Sequence, residues 1–326
     1  MTIKNIPEIP VNKPLNLPAM GSWPEAWHVF DDKSARAIQV ALAAQRPLLV
    51  RGEPGTGKSQ LARAAAHVLG RLFVSEVVHS RSESQDLQWH FDAVARLGEA
   101  QALGAVAKNK EEVHEQLNPG RYLSPGALWW VFDWQSAEDQ YRACRHPRNR
   151  PQPPDNWTAE QGAVLLIDEI DKADADLPNG LLETLGNGAF SVPYLDRPVC
   201  MPDTNPPPLV VITTNEEREL PGAFVRRCVV LQIQMPKQER DFIDWLVERG
   251  ACHQGIACSE AVRRKAAEQL WGDRQEALRQ GQTPPGQAEY LDLLRALNTM
   301  RTTEAERLEL LDQISEFVLR KMPANY

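Results

Sequence analysis

The chain of 326 residues has no run of about 18 apolar residues, the length that a membrane-crossing helix needs. Its start, MTIKNIPEIPVNKPLNLP, carries prolines where an export signal would carry an apolar stretch behind a basic end. Both absences point to a soluble, cytoplasmic protein without a membrane partner. Cysteine is scarce: Cys144, Cys200, Cys228, Cys252 and Cys258 are five, an odd number with no CxxC pair, which suits free thiols in a reducing compartment. Cys252, His253 and Cys258 lie close together, but a four-ligand zinc site needs a partner that the local sequence does not supply, so buried or surface thiols are the preferred reading. Positive charge is in deficit, with 36 Lys and Arg against 44 Asp and Glu and a net charge of -8, so no bulk field draws the chain onto nucleic acid or anionic lipid. There is no internal repeat. With 42% hydrophobic and 25% charged residues, a disordered, collagen-like or coiled-coil chain is excluded.

What the chain has in excess is proline, 25 residues clustered at the N-terminus, at 147–154 and at 202–208, which mark linkers and loops. Residues 1–30 hold five prolines and two tryptophans, a pattern that resists helix and strand. A helix capped by Asp31 or Asp32 follows, with Ala35, Ile38 and Leu42 at helical spacing, and stops before Pro47. PLLVRG and LFVSEVV read as buried strands on either side of the helix GKSQLARAAAHVLG. From about 80 to 160 periodicity weakens while Trp89, Trp129, Trp130, Trp134 and Trp157 accumulate, which marks an insert whose tryptophans are expected to pack. Then come the strand GAVLLIDEI, the helix LPNGLLETLGNG, a hairpin in AFSVPYLDRPVCMP, and the strands LVVITTN and VVLQI. Continuous apolar strands with helices between them predict a parallel sheet covered on both faces, an α/β core. Beyond Pro236 only helical spacing remains, as in Phe242, Trp245 and Leu246 or Leu308, Leu311 and Ile314. The expected organisation is therefore a proline-rich segment at 1–30, an α/β core at 31–235, and a helical domain at 236–326.

The chemistry is concentrated in a few motifs. Gly52, Glu53, Pro54, Gly55, Thr56, Gly57, Lys58 and Ser59 fit G-x-x-x-x-G-K-[ST], with Gln60 next, between a predicted strand and a predicted helix. Such glycines turn backbone N–H groups onto phosphate, Lys58 reaches the β and γ oxygens of ATP, and Ser59 ligates Mg2+. Asp168 and Glu169 end the third strand, at the carboxyl edge where an open α/β sheet binds its ligand. Asp168 can hold the hydration shell of the magnesium, and Glu169 can deprotonate the attacking water. Asn215 ends the fourth strand and either forms a turn or positions that water. Arg226 and Arg227 close a short helix, LPGAFVRRC, either as surface arginines or as a group reaching a neighbour's γ-phosphate.

In this order the motifs resemble the AAA+ ATPases. GEPGTGKS, SQDLQWHFD with YLSPGALWW, LLIDEIDKAD and TTNEERELPGAFVRRC resemble the MoxR group more closely, over about residues 35–235. The resemblance implies an αβα sandwich with a five-stranded parallel sheet ordered 5-1-4-3-2, a helix-2 insert at about 80–160 facing a central pore, and a C-terminal helical lid. It also implies ATP hydrolysis in a homo-oligomeric, usually hexameric ring that remodels a protein substrate, with a von Willebrand factor A domain protein as partner. Asn215 would then be the sensor 1 residue, and Arg227, with Arg226 beside it, the arginine finger. Two departures stand out. Ala288 occupies the place where many relatives carry a sensor 2 arginine, with Arg295 as a substitute two helical turns on. The loop RACRHPRNRPQPP carries Arg142, Arg145, Arg148 and Arg150, read first as a solvated loop, next as a subunit or partner contact, and last as a nucleic-acid contact. Two other functions remain open: a nucleotide-dependent switch or scaffold in a defence or stress system, and a McrB-like nucleic-acid motor, which the negative net charge disfavours.

Overall fold

The five apolar runs become strands because β-branched and aliphatic residues fill both faces of a pleated layer. In the computed structural model, which describes residues 6–106 and 110–319, they are β1 (Leu48–Arg51), β2 (Leu72–Val77), β3 (Ala163–Asp168), β4 (Leu209–Thr214) and β5 (Val229–Gln232). They form one five-stranded parallel sheet in the order β5-β1-β4-β3-β2, the order that the resemblance implies. β3 is flanked on both sides, with Leu165 opposite Val210 on β4 and opposite Val74 on β2. Leu165 and Ile167 join the core that holds Leu128, Trp129 and Leu181, so Val164 and Leu166, one residue out of step, turn to the other face. All four are fully buried, which explains the unbroken apolar run. Each such side chain contributes about 1.5–3 kcal/mol relative to exposure.

The helices are α1 (Asp32–Ala44), α2 (Lys58–Leu69), α3 (Ala93–Val106), α4 (Lys110–Gln116), α5 (Ala127–Phe132), α6 (Trp134–Ala143), α7 (Asp176–Asn187), α8 (Gly222–Val225), α9 (Glu239–Cys252), α10 (Glu260–Arg279), α11 (Gln287–Met300) and α12 (Glu304–Leu319). Among the described residues no helix is long and apolar enough to cross a membrane. The predicted hairpin is present as Ala189–Phe190 paired antiparallel with Val199–Cys200.

Between β2 and β3 lie α3 to α6 and a two-stranded ribbon, Trp89–Phe91 against Leu123–Pro125. Its tryptophans pack. Trp129 and Trp130 are buried, the rings of Trp130 and Trp134 are 4.9 Å apart, and those of Trp134 and Trp157 are 5.0 Å apart. The arginine-rich loop is not simply solvated. Arg142 and Arg150 both donate to Glu138, Arg145 pairs with Glu99, and Arg148 bonds the His90 ring, so the loop is stitched back onto the insert. The bond from Arg150 holds the Glu138 carboxyl below its usual range.

Chain contacts divide the protein into two units, residues 6–9, 32–50 and 62–231 in one, and 10–31, 51–61 and 232–319 in the other. In the second unit Phe242, Leu246, Leu270, Tyr290, Leu294 and Leu311 from α9 to α12 form a fully buried core. Cys252 and Cys258 belong here as thiols: their sulfurs donate to the carbonyls of Glu248 and Leu294, and burial pushes both up from the usual thiol range.

The proline-rich start also belongs to this unit, and one expectation fails there. Leu15–Leu17 and Ala26–His28 pair as antiparallel strands. Pro14, Pro18 and Pro24 lie outside these three-residue strands, so no ladder N–H is lost to them. Arg249 of α9 donates to the Val29 carbonyl at 3.0 Å, tying the segment to the helices.

Two histidines make this unit acid-sensitive. Burial, with Arg249 nearby, lowers His28 to about 3, and burial with Arg295 and Arg249 lowers His253 to about 4. Both folded values lie below the unfolded one, so the unfolded chain binds more protons and stability falls as pH drops below about 6.5. Thermal melts from pH 7 to pH 4.5 should show a falling Tm, with the free energy of unfolding lost at no more than about 1.4 kcal/mol per pH unit for each histidine. The slope should flatten in His253→Asn, and an unchanged slope would exclude that residue.

Candidate functional site

In the loop after β1 each glycine has its own reason. Gly52 has φ +153°, and a Cβ there would stand 2.6 Å from the Ile233 carbonyl oxygen, so only glycine lets the two backbones approach. Gly55 and Gly57 have φ of +74° and +86°, the left-handed region that favours glycine, and a Cβ at Gly57 would meet nothing within 4 Å. Lys58 is buried, and its Nζ donates to the Gly52 and Glu53 carbonyls at 2.8 Å each. Thr56 Oγ1 donates to the same Glu53 carbonyl at 2.9 Å. These bonds brace the ammonium across the loop. Ser59 and Gln60, both half-buried, fall in the first turn of α2, where unpaired N–H groups and the helix dipole favour an anion. Glu53 and Pro54 are exposed at the loop's tip.

In the same unit, α11 begins against this loop. A Cβ on Gly55 would lie 3.1 Å from the Ala288 Cβ, so Ala288 stands in contact range of the loop. Arg295 is exposed and donates to Asp292 on its own helix at 2.8 Å.

A cluster of acids lies at the carboxyl ends of β3 and β4. Thr213 Oγ1 donates to Asp168 Oδ1 at 2.5 Å and accepts from the Glu169 N–H at 2.9 Å, so one hydroxyl orients both acids. Glu169 has φ +59°, a left-handed conformation that is uncommon without glycine and turns the chain sharply at the strand end. Its Oε1 accepts from Asn215 Nδ2 at 3.3 Å and its Oε2 from Lys172 Nζ at 2.5 Å. This hydrogen bond pushes the Lys172 ammonium up from its usual value. Asp171, one per cent exposed, accepts through Oδ2 from the N–H groups of Asn215 at 3.2 Å and Glu217 at 2.9 Å. The structure thus brings Asp168, Glu169 and Asn215 into one cluster. Arg226 and Arg227 are exposed at the end of α8, which Phe224 anchors by full burial.

Residue spacing missed Thr213, Asp171 and Lys172. Thr213 carries a signal, since the two hydroxyls that end an otherwise apolar strand are out of pattern; Asp171 and Lys172 read only as part of an acidic run.

Residues 47–228 match the family model of the AAA domain, dynein-related subfamily. The chain belongs to this family. AAA domains are ATPases that bind nucleotide, and their members generally assemble into rings. The matched span of the AAA domain runs from just before β1 to just before β5 and so holds the loop Gly52 to Ser59, the acid pair, Asn215 and both arginines. No curated protein matches the chain. Among solved structures, a variant of RuvB from Thermotoga maritima is similar at 14% identity, over 87% of this chain and 67% of that one, with a TM-score of 0.43. A protein described as a candidate ATPase from Cytophaga hutchinsonii is similar at 12% identity, over 88% of this chain and 79% of that one, with a TM-score of 0.35.

Proposed function

We propose that this AAA protein is a MoxR-like ATPase that hydrolyses ATP in a homo-oligomeric, hexameric ring and uses the cycle to remodel or activate a protein partner. The observation that carries the hydrolytic reading is the Asn215 Nδ2 bond to Glu169 Oε1 beside an Asp168 oriented by Thr213. An amide and two carboxylates so placed suit the orientation and deprotonation of water. The braced Lys58 and the N–H groups of Gly55 to Ser59 bind the phosphates. The donors Ser59 and Asp168 are both hard oxygen ligands, as Mg2+ prefers, Asp168 acting through water. When bound, Mg2+ neutralises charge on the β- and γ-phosphates. Glu169 then accepts the proton of the attacking water, Asn215 holds that water in line, and Arg227, with Arg226, completes the site of a neighbouring subunit. The MoxR resemblance supplies the von Willebrand factor A domain partner.

A second reading, a slowly turning nucleotide switch, is favoured by the Lys172 ammonium on Glu169, which must be displaced before that carboxylate can act as a base. Partner capture with slow turnover would distinguish it. A nucleic-acid motor predicts ATPase stimulation by DNA or RNA, against which the net charge of -8 counts. The nucleotide site itself is tested by Lys58→Ala: titration with a fluorescent ATP analogue should show affinity reduced at least about tenfold, the loss of roughly one charge-assisted contact. Equal affinities would remove Lys58 from the site.

A further inference from the structure

Arg274 lies in the middle of a long helix of the C-terminal region, yet it is almost fully buried. Its side chain is 9% exposed, and its Nη2 donates to Glu53 Oε2 at 2.6 Å across 221 residues of sequence. Nη1 donates to the Pro285 carbonyl at 3.0 Å, in the turn before α11, and the guanidinium lies 5.6 Å from the Phe242 ring centre. A planar cation held on three sides has little freedom left, so it fixes whatever it binds. What it binds is the residue whose carbonyl receives both Lys58 and Thr56.

We infer that Arg274 is a positioning residue of the nucleotide site: through Glu53 it holds the phosphate loop in the form that braces Lys58, and it thereby sets ATP affinity. The inference rests on the nucleotide-site reading above. It assigns to α10 the link between the helical region and the loop, a link that Ala288 cannot make with a single methyl group. Removing the guanidinium frees the Glu53 side chain, lets the loop sample conformations in which Lys58 is misplaced, and costs affinity through lost preorganisation. Chemistry on bound ATP needs Glu169 and Asn215 instead, so KM should rise while kcat stays within about twofold.

The test is a mutant cycle on the full chain, read by titration with a fluorescent ATP analogue and by steady-state ATPase rates. Arg274→Met and Glu53→Ala should each weaken binding about tenfold, and the double variant should be no worse than the weaker single one, because each change breaks the same link. Arg274→Lys should recover part of the affinity, since it keeps a charge but not the fork. If the two losses multiply, or if Arg274→Met binds within twofold of the unaltered protein, the inference is overturned. A lowered Tm in Arg274→Met with unchanged Kd would also overturn it, leaving a purely packing role. If the unaltered protein fails to bind the analogue, the nucleotide-site reading falls as well, which separates the two failures.

Discussion

Glu169→Gln should leave nucleotide binding intact and lower ATP turnover by about 10²–10⁴-fold, the range contributed by a positioned general base. The substitution keeps size and shape, so the left-handed backbone at this residue and the bond from Thr213 to its N–H need not change. A glutamine carbonyl oxygen still accepts from Asn215 Nδ2, but its amide nitrogen now faces the Lys172 ammonium, donor against donor. The variant therefore loses both its proton acceptor and the ion pair. Phosphate release measured beside analogue binding checks the outcome, and an unaltered rate would sink the general-base role. With turnover blocked, the same variant should retain protein partners during affinity capture in ATP, which also tests the proposed action on a protein partner.

Arg227→Ala should lower turnover by about 10³–10⁵-fold with ATP affinity close to normal, the range for an arginine stabilising the transferring phosphoryl group. The exposure of Arg226 and Arg227 agrees with a role toward a second subunit, because a solvated arginine contributes almost nothing to its own chain. Phe224 and Cys228, both buried, fix the backbone around the pair. The decisive measurement is a mixture. Arg227→Ala subunits hold an intact phosphate loop, Lys58→Ala subunits hold an intact arginine, and exchanged rings should regain activity that neither parent has. No recovery after verified subunit exchange would exclude catalysis across the interface, and the same pairing with Arg226→Ala would identify which arginine acts.

Much of the sheet was legible in the sequence because its strands are apolar on both faces. Val164 to Ile167 can be nothing but interior, and the motif G-x-x-x-x-G-K-S ties the first strand to the helix after it. The hairpin was legible for the opposite reason, two short runs separated by turn residues. What stayed hidden involves partners far apart in sequence. Nothing near Arg274 marks it as an ion-pair partner of Glu53, and nothing near Glu99 foretells that Arg145 pairs with it. Charged residues in a helix or a proline-rich loop read as solvated until the fold supplies a partner. The N-terminal strands were missed because prolines dominate the local pattern, although they only flank the residues that pair. Thr213 shows the intermediate case, where a polar residue is visible in an apolar strand but its two partners are not.

The contact between Gly55 and Ala288 has a consequence in evolutionary terms. A glycine of a phosphate loop is commonly explained by its own backbone, and at φ +74° that explanation holds here. The Ala288 methyl adds a second constraint, since a Cβ added at Gly55 would stand 3.1 Å from it and one of the two would have to give by a few tenths of an ångström. The two positions therefore behave as one inherited character. In descendants of this chain, a side chain at position 55 should be found only where the start of α11 has shifted by a few tenths of an ångström.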